Sequence, residues 1–334
     1  MTNHELYRRS EHLRGCLLGQ AIGDALGTRY EFKNQTQVGK MFRGDCRGNH
    51  LPILGGGPFD VVPGQVTDDT ELALTLARVL SQSRRFDLDQ VARGYQEWFL
   101  SRPPDIGRAT RTAFGETDRI LDATLARQRA SANRDSLSNG ALMRISPMGL
   151  IAGRWTDQQI WDRATQECSL SHPSPIAQEA SAIYVMALRD SIEGYQCSRV
   201  HGQALARARH PLIERWLMDS LHLATPTYHE TLGLINADSQ SMGYLGVAFQ
   251  NAFHQLVSGQ TFETGLVKTI LLGGDTDTNA CITGALLGAY HGQRQIPHDW
   301  IQTVLNCQNY RHEIYPPSQT HDLLSLADRF NWET

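Results

Sequence analysis

Glycine recurs every fourth residue in two apolar stretches, at Gly15, Gly19, Gly23 and Gly27 in "GCLLGQAIGDALG" and at Gly284, Gly288 and Gly292 in "GALLGAYHG". Residues four apart share one face of an α-helix, and a face without Cβ atoms lets a neighbouring backbone come unusually close. Membrane helices use the same device. Here Gln20 and Asp24 interrupt the first stretch, and neither stretch offers the roughly 20 apolar residues a span requires. The spacing therefore predicts close-packed helices in a protein core.

Helical periodicity governs much of the remaining chain. Leu72, Leu76, Val79 and Leu80 fall on one face, and similar spacing recurs around 87–100, 116–128, 176–190 and 244–257. Alternating strand patterns are nearly absent. With no internal repeat, low-complexity tract or linker, the 334 residues read as one all-α domain over 1–334. The pattern lapses over 32–66, a Gly- and Pro-rich stretch containing "GGGPFDVVPG" and far longer than the usual connection of about 4–6 residues. Long segments of this kind tend to cover sites, so 32–66 is a candidate lid loop.

Two paired-acid motifs carry the chemistry. "VTDDTELAL" supplies Thr67, Asp68, Asp69 and Thr70, and "GGDTDTNA" supplies Asp275, Thr276, Asp277 and Thr278, each ahead of a helical pattern. Helix capping needs one such residue. Each motif instead brings two carboxylates, with no Lys or Arg among the four preceding residues. If the fold joins 67–69 to 275–278, four carboxylates and two hydroxyls form an all-oxygen site suited to Mg2+ or Mn2+ and large enough for two ions. Zinc is disfavoured by the lack of H-E-x-x-H or a Cys/His cluster.

Charge and cysteine usage exclude other classes. The formal net charge is -4 and the basic runs are no longer than pairs such as Arg84-Arg85, so no nucleic-acid partner is expected. Cys16, Cys46, Cys168, Cys197, Cys281 and Cys307 are scattered without a C-x-x-C pair, which reads as reduced thiols. "MTNHELYRRSEHLRG" has no long apolar core, so neither secretion nor membrane association is expected. A cytoplasmic location follows as the expectation.

"GCLLGQAIGDALGTRYEF", "VTDDTELAL", "PPDIGRATRTAF", "SNGALMRISPMGL", "SLSHPSP" and "LLGGDTDTNACITGALLGAYHGQRQIPHDW" together resemble the ADP-ribosylglycohydrolase family, from about residue 13 to the C-terminus. The family includes dinitrogenase reductase-activating glycohydrolases and ADP-ribosylarginine hydrolases. The resemblance implies a compact, single-domain orthogonal bundle of helices with a dinuclear Mg2+ or Mn2+ centre in a cleft. Its ligands would be Thr67, Asp68, Asp69, Asp275, Asp277 and Thr278, with Asp277 shared by both ions.

The resemblance also assigns roles around that centre. Glu31 would reach the metals or swing away with the loop after it, and Asp105 would face the scissile bond. Ser138, Asn139, Gly140, Met143 and Arg144 would wrap the diphosphate and distal ribose, glycine allowing close backbone approach. His172 would lie near the ribose or adenine, with Ser171 where Thr is usual. Tyr244 would stack on adenine, although its spacing with Leu245 and Phe249 equally suits a core position. Arg108 stands where some arginine-directed relatives carry Asn.

The implied activity is removal of mono-ADP-ribose from protein arginine, reversing a regulator's or a toxin's modification, which includes an immunity-type role. The partners would be an ADP-ribosylated protein and a cognate ADP-ribosyltransferase toxin. The alternatives are hydrolysis of O-linked (serine) or small-molecule ADP-ribosyl substrates, and an immunity protein that acts by binding a toxin.

Overall fold

The computed structural model describes residues 2–48, 50–83, 86–308, 310 and 319–331. Sixteen α-helices occur among them, beginning with α1 (Asn3–Gly27), α2 (Gln35–Asp45), α3 (Asp68–Ser83), α4 (Leu88–Leu100), α5 (Arg108–Phe114) and α6 (Ala123–Ala130). The middle of the chain forms α7 (Pro147–Ile151), α8 (Asp157–Cys168), α9 (Pro175–Ile192), α10 (Cys197–Arg207) and α11 (Pro211–Ser220). The remainder forms α12 (Leu245–Val257), α13 (Phe262–Ile270), α14 (Thr276–His291), α15 (His298–Leu305) and α16 (Leu323–Asp328). One antiparallel hairpin, β1 (Thr227–His229) with β2 (Gly233–Ile235), pairs Tyr228 with Leu234.

The two glycine-bearing helices are each other's partners. Gly15 meets Gly288, Gly19 meets Gly284, Gly23 meets Ala280 and Gly27 meets Thr276, an order that makes α1 and α14 antiparallel. A Cβ placed on any of these four α1 glycines would collide with a carbonyl oxygen of α14. The missing side chains thus set the separation of the two backbones.

Other helices pack around this pair. Tyr184 Oη of α9 donates to the Ile282 carbonyl of α14 at 2.7 Å. Asn251 Nδ2 of α12 reaches Thr269 Oγ1 of α13 at 3.0 Å and Thr283 Oγ1 of α14 at 2.9 Å. Trp98, Trp216, Trp300, Phe249 and Phe262 are fully buried in the surrounding core, each such side chain contributing about 1.5–3 kcal/mol.

Two segments differ from their sequence pattern. Within 116–128 the helix starts only at Ala123, where Asp122 Oδ1 accepts the Leu125 amide at 2.7 Å and fixes the N-terminus. Within 32–66, residues 35–45 form α2, started by a reciprocal cap between Asn34 and Gln37. This helix fully buries only Val38, with Met41 and Phe42 half-buried on the same face, a stripe of one turn inside a Gly- and Pro-rich stretch. Leu51 and Val66 are also buried, which ties the stretch into the core at several points. Among the described residues, no helix is long and apolar enough to cross a membrane.

Candidate active site

The close approach of α1 and α14 brings the end of one helix to the start of the other. Thr276 Oγ1 donates to the Gly27 carbonyl at 2.7 Å. One turn earlier on α1, buried Asp24 receives the start of α3: the Thr67 amide donates to Oδ1 at 3.1 Å and Oδ2 at 3.0 Å, Thr67 Oγ1 to Oδ1 at 3.0 Å, and the Thr70 amide to Oδ2 at 3.1 Å. Asp24 caps α3 from another helix, and both Asp/Thr motifs converge beside it. Its role is not legible locally, since in the sequence it only breaks an apolar stretch.

Asp275 occupies the N-cap position of α14, yet its carboxylate makes no capping hydrogen bond. Its Oδ2 accepts instead from Asn139 Nδ2 at 2.8 Å. Glu31 is brought in by the strand-like clasp that follows it, in which the Phe32 amide donates to the Gly274 carbonyl and the Gly274 amide to the Lys33 carbonyl, both at 2.8 Å. Gly274 has φ +80, and a Cβ there would strike the Ala237 carbonyl, so this junction requires glycine. As a result Glu31, Asp275 and Asp277 each offer an oxygen within 4.8 Å of one another.

Crowded carboxyls in a buried place resist ionisation. Burial, then Asp275 and Asp105, push Glu31 up to about 9. Burial, then Asp275, push Asp105 up to about 6. Asp68, Asp69 and Asp277 lie well above the usual carboxyl range, first through burial and next through Asp105, Asp24 and Glu31 respectively. No lysine or arginine is among the leading influences on these five groups.

Glu31 Oε2, Asp69 Oδ1 and Asp277 Oδ2 are buried without a hydrogen-bond partner. Unpaired buried carboxylate oxygens are costly. Hard oxygen donors converging without countercharge fit divalent cations of the Mg2+ or Mn2+ type.

This cluster floors a cavity of about 750 Å³. Glu31, Asp68, Asp105, Asp275 and Thr278 line it, and so do Ser138, Asn139, Gly140, Met143 and His172. Thr67, Asp69 and Asp277 are buried and do not line the cavity. His172 bridges Ser138 Oγ and Ser171 Oγ through its two ring nitrogens, each at 2.8 Å. Burial and then Arg144 push its pKa down to about 3, so the ring is neutral.

Two residues expected at the substrate lie elsewhere. Arg144 is fully buried outside the cavity, with Nε on Glu167 Oε1 at 2.8 Å, Nη1 on the Gly140 carbonyl at 3.0 Å, and its guanidinium 4.9 Å from the centre of the Tyr95 ring. It braces the 138–140 loop from behind. Tyr244 is a core ring, edge-on to Trp216 at 5.5 Å with its hydroxyl on the Tyr228 carbonyl. It serves the loop through its backbone neighbours, where the Asn139 amide donates to the Gly243 carbonyl and the Leu245 amide to the Leu137 carbonyl. Phe32, Thr110, Asn133, Ser136 and Met242 line the cavity as well, and nothing in their residue types singles them out in the sequence.

Comparison with known proteins agrees with this architecture. The ADP-ribosylglycohydrolase family model matches residues 5–333. A protein of Acanthamoeba polyphaga mimivirus named as an ADP-ribosyl glycohydrolase is 33% identical, over 91% of this chain and 94% of its own. The ADP-ribosyl-[dinitrogen reductase] glycohydrolase of Rhodospirillum rubrum is 27% identical over 87% and 89%. A solved structure described as an ADP-ribosylglycohydrolase-related protein complex superposes with a TM-score of 0.71, covering 97% of this chain and 98% of that one at 25% identity. The match of the family model over residues 5–333, with a relative 33% identical over nearly its whole length, places this chain in the ADP-ribosylglycohydrolase family, metal-dependent hydrolases that act on ADP-ribosylated proteins.

Proposed function

We propose that the chain removes mono-ADP-ribose from arginine side chains of a modified protein, with two Mg2+ or Mn2+ ions held by Thr67, Asp68, Asp69, Asp275, Asp277 and Thr278. The set of unpartnered carboxylate oxygens at Glu31, Asp69 and Asp277 supports the metal centre, and the Asp105 carboxyl at the cavity supports the arginine linkage. Bound there, such ions supply charge that orients ribose hydroxyls and lowers the pKa of a nearby water. The remaining work falls to side chains of this chain.

As the bond to the leaving nitrogen stretches, positive charge grows at the anomeric carbon, and the surrounding carboxylates favour it electrostatically. Asp105, which lines the cavity, suits bidentate pairing with a departing guanidinium. Glu31 Oε2 has no partner and, with bound cations favouring its ionised form, is suited to accept the attacking water's proton. Neutral His172, held between two serine hydroxyls, keeps Ser138 oriented toward the substrate. An ADP-ribosyltransferase, regulator or toxin, would supply the modified protein. Lid movement in this reading is confined to the start of 32–66, where Phe32 is 56% exposed at the cavity.

The test is release of ADP-ribose from arginine-modified and serine-modified proteins, each with and without chelator. Chelator-sensitive release from arginine alone is expected. Release from serine alone would replace arginine by the O-linked reading, and release unaffected by chelator would remove the metal.

A further inference from the structure

Among the described residues, the cavity has one basic side chain. Glu31, Asp68, Asp105, Asp135 and Asp275 line it, against Arg108 alone; His172 is neutral at ordinary pH. An ADP-ribosyl group must bring a doubly charged diphosphate into these surroundings, while the ions of the proposed centre lie at its ribose end. Something else has to balance the phosphates.

The loop at 138–144 brings no free cation to them. Its charged member, Arg144, is engaged by Glu167 outside the cavity. The Ser138 amide donates to Ser136 Oγ at 3.4 Å and the Asn139 amide to the Gly243 carbonyl at 3.0 Å.

Arg108 is differently placed. It opens α5, is exposed, and its guanidinium pairs with no acid among the described residues. The guanidinium is therefore available to a ligand in the cavity. Thr110 and Thr112 of α5 line the same cavity, and the Thr112 hydroxyl donates to the Arg108 carbonyl at 3.0 Å.

We propose that Arg108 binds the diphosphate of the ADP-ribosyl group. This rests on the ADP-ribosyl reading above. Its planar fork matches two phosphate oxygens, which an ammonium cannot reproduce.

The experiment is calorimetric titration of Mg2+-saturated protein with ADP-ribose and, separately, with adenosine, for wild type, R108Q and R108K. R108Q should weaken ADP-ribose about 10–100-fold, as loss of charged hydrogen bonds does, and leave adenosine unchanged. R108K should fall between, and added salt should narrow the gap between wild type and R108Q. Because the side chain is exposed, all three proteins should melt alike. ADP-ribose affinity within about twofold of wild type in R108Q, on the same scale, would overturn the assignment, and so would equal loss of adenosine. Wild type that binds no ADP-ribose would instead overturn the ADP-ribosyl reading and the assignment with it.

Discussion

Asp24 of α1 holds Thr67 at the head of α3 through both of its carboxylate oxygens, accepting the Thr67 amide and the Thr67 hydroxyl at 3.0–3.1 Å. This contact joins the glycine-striped helix to the first acid motif. Asp24→Asn turns a buried acceptor partly into a donor facing amide hydrogens. A stability loss of about 1–3 kcal/mol is expected, with weaker Mn2+ binding because Asp68 and Asp69 lose their anchor. Melting and metal titration read the two effects separately. A variant matching wild type in both would show that α3 is placed without Asp24.

Gly19→Ala tests the helix contact beneath the site. Alanine favours a helix by about 1 kcal/mol over glycine, but here its methyl would meet the Gly284 carbonyl. Both contacting elements are backbone, so overpacking of about 1–3 kcal/mol or more should win. Melting should fall by several degrees. Gly44→Ala in α2 is the control, because nothing lies within 4 Å of its added methyl; it should be neutral or mildly stabilising. Equal behaviour of the two variants would contradict the packing account.

Asp277→Asn should abolish turnover and spare the fold. The change removes a charge from an oxygen, Oδ2, that has no protein partner, while Asn retains an acceptor for the Thr278 amide now on Oδ1. Chelator-treated variant should melt at or above wild type, since one of several mutually repelling acids is gone. Activity should drop at least ~10²-fold, the scale of losing one electrostatic contributor. Normal melting with turnover near the wild-type rate would dismiss the dinuclear centre.

The acid cluster sets a sign for pH dependence. Glu31 rises from 4.5 to about 9 and Asp105 from 3.8 to about 6 on folding. A raised carboxyl stabilises the fold below its unfolded pKa, and that contribution is lost as pH climbs through the folded value. Metal-free protein should therefore lose stability between about pH 4 and pH 9. Saturating Mg2+ should flatten or reverse the trend, because cations favour the ionised carboxyls and binding expels their protons. Melting curves across this range, with and without chelator, give the comparison. A metal-free protein whose stability rises with pH would mean these carboxyls are ionised without a cation.

What the sequence determined by itself is the chemistry that neighbouring residues share. Thr67–Asp69 and Asp275–Thr278 were legible because each sets two acids at neighbouring positions without local countercharge. The glycine faces were legible because helical spacing alone places them on one side. That these two faces meet each other was decided by the tertiary structure, where each α1 glycine leaves room for a carbonyl of α14.

Long-range contacts also decided the roles of single residues. Asp24 looked like an interruption and is a cap for a helix 44 residues onward, at Asp68. Arg144 looked like a substrate ligand and is a buried brace, since Glu167 from α8 lies within 2.8 Å of it. Tyr244 likewise turned inward onto Trp216. A side chain's type and spacing state what it is able to bind, whereas the side of the backbone it faces, and what waits there, depend on elements far away in the chain.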